Sequence, residues 1–326
     1  MRTLRRIILS LFLLTVPFIA AQAQESGRVF VSSEKDNAVI VFDAGTLEKT
    51  AEIPTSERPR ALQLSPDRRL LYAACGDGDA IDVIDLEAME VIDRLEVGDD
   101  PEMFDLSPDG KLIYVSNEDD ALLTVFDIAA KEAVAEVEVG EEPEGVLAAP
   151  NGSVVYVTSE VANMVHVVDA ETHELLANTL VGNRPRRFAL TPDGSELWVT
   201  NELSGSVSIL DTGSYEVTEE IAFEPQGFRR ENVTPVGIVM TEDGSTAYVG
   251  LGRANHVAAV DVAAKSVREY VLVGERAWGL ALNGDESTLY VANGLSDDMS
   301  VVDTASLSVA KSVPVARTPH SVVVVD

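Results

Sequence analysis

The sequence predicts an all-β fold, a seven-bladed β-propeller with four antiparallel strands per blade, from three observations. An aromatic residue followed by small or branched residues recurs at Phe30, Tyr72, Tyr114, Tyr156, Trp198, Tyr248 and Tyr290, every step being 42 residues except one of 50. An aspartate ending an apolar run recurs in the same register at Asp43, Asp85, Asp127, Asp169, Asp211, Asp261 and Asp303. Within each unit, short apolar or alternating segments of strand length are separated by turn chemistry. A lone four-stranded sheet cannot bury both faces, so the units must stack, and a period of about 40 to 45 residues with four strands is that of a propeller blade.

Taken in chain order, residues 1–23 stand apart. Arg2, Arg5 and Arg6 precede an apolar stretch from Ile7 to Ala20, and Ala21-Gln22-Ala23 offers small residues for cleavage, so the segment reads as an export signal and the protein is expected in the periplasm. The stretch is short for a membrane span, and none is expected after cleavage. Residues 24–326 are then expected to form one propeller domain. In a representative unit, Met103 to Ser107 is followed by the turn Pro108-Asp109-Gly110, Leu112 to Ser116, the loop Asn117 to Asp120, Leu122 to Asp127, and Ala133 to Val139 with charges on alternate residues. Proline presets φ and glycine tolerates positive φ in the turn, while the alternation marks a half-exposed outer strand. The chain enters the ring at a second strand, Arg28 to Ser33, and ends with an unpaired first strand, Ser321 to Val325. The last strand is therefore expected to join the first blade and remove the open edges.

Composition excludes several functions. With 24 Lys and Arg against 55 Asp and Glu, the net charge of −31 repels nucleic acid. The single cysteine, Cys75, read as lying in or near a loop, allows no internal disulfide, no covalent c-type haem and no CxxC zinc half-site. No GxSxG, GxGxxG or GxxxxGK[ST] motif occurs. His166, His173, His256 and His320 show no metal-ligand spacing.

The segments Leu289 to Asn293, Leu112 to Asn117, Ser107 to Gly110 and Val139-Gly140-x-x-Pro143 resemble the YVTN-family β-propeller repeat. A signal followed by seven such repeats is similar to the PQQ-dependent catabolism-associated β-propeller proteins. That resemblance implies a periplasmic protein linked to quinoprotein alcohol oxidation, without an established catalytic role. Related repeats occur in the d1-haem domain of nitrite reductases and in surface proteins.

Repetition separates scaffold from function, because residues shared by every unit serve the blade. The repeated aspartates are expected to accept hydrogen bonds from the following turn. In the loops leading to each innermost strand the equivalent positions differ: Arg60, Glu102, Glu144, Arg186, Val236, Trp278 and His320, a ring expected at the channel mouth. Nine of the 15 arginines after residue 23 lie in these loops, and no lysine does: Arg58, Arg60, Arg184, Arg186, Arg187, Arg229, Arg230, Arg276 and Arg317. Guanidinium forks suit planar carboxylates. Arg60, Arg184, Arg186, Arg187, Phe228, Arg229, Arg230, Arg276, Trp278, Arg317 and His320 are thus the candidate ligand site, for which PQQ, a planar tricarboxylate, is one candidate cofactor. The competing reading is that Arg60, Glu102, Glu144 and Arg186 form ion pairs between neighbouring blades and need no ligand. The expectation is a monomeric, non-catalytic exported protein binding a small anion or a periplasmic partner, accessory to PQQ-dependent alcohol catabolism. The alternatives are a metal-dependent, lactonase-like hydrolase with Glu102 and Glu144 holding a hard cation, and a d1-haem-binding or surface-interaction propeller.

Overall fold

The computed structural model describes residues 27–326. The segment read as an export signal lies outside them. Seven four-stranded antiparallel sheets are arranged as blades, and the expected closure is present: Pro319–Val325 pairs with Arg28–Ser33, Val31 lying opposite Val322. Among the described residues the helical elements are two single turns, Gly76–Gly78 and Arg230–Asn232, and no helix is long and apolar enough to cross a membrane.

The representative unit forms strands at Pro101–Leu106, Leu112–Asn117, Leu122–Asp127 and Glu132–Glu138. Its innermost strand starts two residues before the apolar pattern does, because Pro101 already pairs with Asn117 and carries the polar Glu102 into the sheet. Central strands are buried on both faces, whereas in Glu132–Glu138 only Val137 is buried. The core consists of layers between blades rather than one centre. In one such layer Tyr72, Ile81 and Leu95 of the second blade pack on Phe104, Ile113 and Phe126 of the third. The repeated aromatic residue locks this layer, Tyr72 meeting the Phe104 ring edge-on at 6.4 Å. Cys75, placed by sequence near a loop, instead ends the strand Leu70–Cys75 with no solvent exposure, and burial pushes its thiol pKa up. It is packing, not a reactive thiol.

The repeated aspartates act as turn acceptors. Asp85 Oδ1 accepts the amides of Glu87 at 2.8 Å and Ala88 at 2.7 Å, and the same bond closes the turns after Asp43, Asp127, Asp169, Asp211, Asp261 and Asp303.

Three devices fix the innermost strands and therefore the channel mouth. Before the innermost strand of every blade but the sixth, a non-glycine residue adopts positive φ: Arg58, Asp100, Glu142, Arg184, Arg276 and, in the first blade, Thr318. The amides of Arg58, Arg184 and Arg276 donate to the side chains of Asn37, Asn163 and Asn255 on the preceding blade, which satisfies a backbone group that the turn exposes. Second, hydroxyls reach across blade boundaries to the carbonyls of ring residues: Ser32 to Arg60, Ser116 to Glu144 and Thr200 to Val236, each at 2.7 Å. Third, glycine follows the ring residue in several blades. A Cβ at Gly145 or Gly237 would collide with the carbonyl oxygen of Arg186 or Trp278 on the next blade.

Substituting Gly145 by Ala should therefore force neighbouring blades apart and cost about 1–3 kcal/mol, the usual range for overpacking. Urea denaturation checks this; an unchanged midpoint would show that the blades do not meet so closely.

Candidate active site at the channel mouth

The ring positions do converge. Arg60, Glu102, Glu144, Arg186, Val236 and His320 are buried and Trp278 is half-buried. Above them opens a cleft of about 390 Å³ whose walls carry six arginines, Arg58, Arg60, Arg184, Arg186, Arg253 and Arg276, with Glu118, Glu144, Glu202 and Trp278. A second cavity of about 180 Å³ lies within the channel, with Arg187, Phe188, Ile238, Leu280 and His320 in its wall and Trp278 shared between the two.

Every strongly buried charge at the mouth has an opposite neighbour. Arg58 and Arg60 both engage Glu102, and Arg60 Nε lies 3.3 Å from Glu34. Arg187 engages Glu144, as does Arg186 at 3.2 Å. Arg186 also engages Glu160, which Arg184 meets at 2.6 Å. Glu202 lies 3.3 Å from Arg184 and 3.4 Å from Arg276. The interblade ion pairs expected from the sequence, Arg60 with Glu102 and Arg186 with Glu144, are thus formed. They are buried, so they are strong local constraints rather than weak exposed pairs.

The pKa shifts follow this arrangement. Burial lowers Arg60 to about 10, leaving it charged at neutral pH, and burial also lowers Arg187 and Arg276. Burial would raise the Glu144 carboxyl, but Arg186, Arg187 and Arg60 outweigh it and hold it far below the ordinary range. His320 is depressed by burial, then by Arg60 and Arg187, so its imidazole is neutral, with Nε2 3.3 Å from Arg60 and the ring 5.2 Å from Trp278. Trp278 in turn carries the guanidiniums of Arg276 at 4.5 Å and Arg186 at 5.3 Å.

Of the candidate residues, Arg60, Arg184, Arg186, Arg276 and Trp278 line the cleft, while Arg187 and His320 line the channel cavity. Four lie in neither wall. Arg317 is held by Asp36, its Nε at 2.7 Å. Arg229 is exposed beside Glu231, Arg230 donates to the Ser204 carbonyl, and Phe228 packs on His256 at 5.3 Å. The insertion in this loop carries all three away from the ring; Phe228 and Arg230 line a separate pocket with Phe223.

Sequence reasoning missed Glu34, Glu118, Glu160 and Glu202. These occupy one repeat position, immediately after the second strand, where the other blades have Gly76, Gly252 and Gly294. Residues of the mouth loops fill the space that those glycines leave, Thr234 at Gly252 among them. A Cβ at Gly76 would meet Arg58 and Asp100, and one at Gly294 would meet Trp278. Arg253 was also missed, since it follows Gly252 outside the loops that were compared.

The pair Glu102 and Glu144 does not fit a hard cation. Each is engaged by two arginines, whereas such ions take six or more oxygen ligands. The carboxylates of Asp100, Glu102 and Glu118 approach within 4.8 Å, but Arg58 already bridges the first two.

Fold and site together define a seven-bladed β-propeller with an arginine–carboxylate cleft at one end of its channel. A family model described as "Lactonase, 7-bladed beta-propeller" matches residues 176–324, and one described as "YNCE-like beta-propeller" matches residues 67–152. No curated protein matches the chain. Among solved structures it is similar to the Pseudomonas aeruginosa periplasmic gluconolactonase PpgL, with 20% identity, a TM-score of 0.76 and coverage of 92% of this chain and 99% of that one. It is similar to hydrazine synthase of Kuenenia stuttgartiensis, with 22% identity, a TM-score of 0.77 and coverage of 85% and 92%. It is also similar to the dihydro-haem d1 dehydrogenase NirN, with 16% identity, a TM-score of 0.69 and coverage of 93% and 76%. At these identities the structural likenesses show the fold. The lactonase match corrects the expectation of a non-catalytic binder accessory to PQQ-dependent catabolism, because it falls on the half of the chain that supplies most of the cleft.

Two outcomes follow for stability. Glu144→Gln strands Arg186 and Arg187 and should cost about 3–5 kcal/mol at pH 7, as breaking a buried pair does. Since the folded pKa of Glu144 is depressed, this difference should persist down to its ordinary value of 4.5 and shrink only below it. Denaturant titrations at pH 7 and pH 3.5 check both points. For His320, depressed below 6.5, the unfolded chain takes up the proton first, so wild-type stability should fall as pH drops through 6.5. His320→Phe should make that part of the pH–stability curve shallower, leaving the share of His166, which burial also depresses; an unaltered slope would show that His320 does not contribute.

Proposed function

We propose that the protein is an exported lactone hydrolase whose active site is the arginine-lined cleft. The observation that carries this reading is the lactonase match over residues 176–324, which includes Arg184, Arg186, Glu202, Arg253, Arg276 and Trp278 of the cleft wall. Periplasmic gluconolactonase among the fold relatives, together with the signal-like segment 1–23, supports export. The YVTN-type repeat supplies the scaffold on this reading, and the chemistry comes from the positions where repeats differ.

Attack of water on a lactone carbonyl moves negative charge onto the carbonyl oxygen, and fixed donors aimed at that oxygen lower the barrier. The cleft offers such donors already oriented by their glutamate partners. Arg276 is only loosely engaged, its nearest carboxylate lying 3.4 Å away and its guanidinium over the Trp278 ring. Arg253 has no carboxylate partner among the described residues and sits in the same wall. On this reading these two hold the carbonyl oxygen, and afterwards the carboxylate of the hydroxy acid, while Trp278 supplies a flat wall for the ring.

The purified protein should accelerate hydrolysis of glucono-δ-lactone or δ-valerolactone above the buffer rate, read as acid release with a pH indicator. Arg276→Gln should lower kcat/KM by about 10²–10³-fold, the usual loss for one such donor, without a comparable change in melting temperature. Hydrolysis of both lactones at the buffer rate would sink the reading.

A further inference from the structure

Lactone hydrolysis, the reading on which this inference rests, requires a group that takes a proton from water, and the carboxylates of the mouth are not equivalent. Glu102, Glu144, Glu160 and Glu202 all lie against arginines. Protonating any of them would leave buried guanidinium charge uncompensated, so they are poor bases. Glu34 is tied to Arg60 and does not line the cleft.

Glu118 differs. It is half-buried in the cleft wall, and among the described residues no arginine, lysine or hydrogen-bond donor engages its carboxylate. Its place is fixed from the backbone, its amide donating to the Asp100 carbonyl at 3.2 Å. The reason for its isolation lies in the repeat. The glutamate after each second strand faces the loop of the next blade, and Glu34 and Glu160 meet Arg60 and Arg186 there. Glu118 instead meets acids. The charged groups around it are Glu144, Asp100 and Glu142, with Glu102 in the adjoining carboxylate cluster and Arg60 as the opposing charge.

We infer that Glu118 is the proton-transferring residue of the cleft, acting as general base on the attacking water and as general acid on the leaving oxygen. Its carboxylate removes a proton from water as the water oxygen bonds to the lactone carbonyl carbon, and the π pair moves onto the carbonyl oxygen. When that pair returns, the ring C–O bond breaks and the ring oxygen takes the proton from the Glu118 carboxyl. The sum is lactone plus water to hydroxy acid, with Glu118 regenerated. Burial, reinforced by Glu144 and Asp100, raises the Glu118 pKa above the ordinary glutamate value, towards the range in which one carboxyl can serve both steps.

The test compares wild type, Glu118→Gln and Asp119→Asn, the last an exposed neighbour outside the cleft wall. With glucono-δ-lactone, Glu118→Gln should lower kcat by about 10²–10⁴-fold, the span of general acid–base catalysis, with KM within about threefold of wild type. Wild-type kcat/KM should fall on acidification through the raised Glu118 pKa, a limb kept by Asp119→Asn and lost in Glu118→Gln. Carboxyl ¹³C titration of the free protein gives a readout independent of turnover: of the glutamates raised above the ordinary value, Glu34 and Glu118, the Glu118 resonance is absent in Glu118→Gln while that of Glu34 remains. If wild type hydrolyses the lactone and Glu118→Gln keeps kcat within about threefold, or if Glu118 titrates at or below the ordinary value, the inference is overturned while the hydrolase reading stands. A wild type that hydrolyses neither lactone overturns the hydrolase reading, and the base role with it.

Discussion

Concentrating buried charge around one axis is possible only if every guanidinium finds a carboxylate, and that requirement governs the mouth of this propeller. Arg60, Arg186, Glu102, Glu144, Glu160 and Glu202 are all buried there. An isolated ion in such a place would pay several kcal/mol in lost hydration. The pairs therefore join blades that are distant in sequence, as Arg276 and Glu202 are, and the ring closes electrostatically as well as through its terminal strand. Glycines and hydroxyls on the inner strands set the backbone spacing at which these side chains meet.

The same pairing makes the site a preorganised one. A flexible arginine on an exposed loop must be ordered each time it binds an anion, which costs side-chain entropy. Here Arg58, Arg184 and Arg276 start from backbones pinned at positive φ by an asparagine of the preceding blade. Their forks are then aimed by carboxylates, and Trp278 is held between two of the cations. Structural pairing and chemical use of the arginines, opposed as alternatives when only the sequence is considered, are compatible, because the carboxylates that pair the guanidiniums also fix them in the cleft wall.

Most of the fold was legible because the repeat is regular: the aromatic and aspartate markers locate every blade, and the turn chemistry after Asp43, Asp85 and their equivalents is local. The ring was legible for the same reason, since equal repeat positions must share one height on the axis. What register could not supply was the path of a side chain after its backbone leaves the repeat. The insertion before Thr234 therefore misplaced Phe228, Arg229 and Arg230, and Arg317 turned to Asp36 on the blade beside it. The second ring of acids was visible in principle. Glu34, Glu118, Glu160 and Glu202 share a repeat position, but comparing one set of loops could not reveal that two sets interlock. Burial of the ion pairs was likewise invisible, because exposure depends on how seven loops crowd together.

Interlocking also explains where the site departs from neutrality. The residue after each second strand faces the next blade's loop, and complementarity mostly holds: Glu34 with Arg60, Glu160 with Arg186, and glycine where Asp100 and Glu102 or His320 follow. Glu202 faces the loop of Val236 and draws Arg184 and Arg276 from other loops instead, and charge is left poorly matched at two places. Glu118 faces Glu144 and Glu142, so a carboxylate lacks its cation. Gly252 precedes Arg276, so a cation lacks its carboxylate from that blade and reaches Glu202 only at 3.4 Å. Both failures lie in the wall of the same cleft. A scaffold selected for stability alone would gain by correcting each with a single substitution, because an unmatched charge at a partly buried site costs free energy. An unpaired carboxylate and an underpaired guanidinium in the wall of one cleft are the two kinds of group that water addition to a carbonyl needs, one to move the proton and one to hold the oxygen.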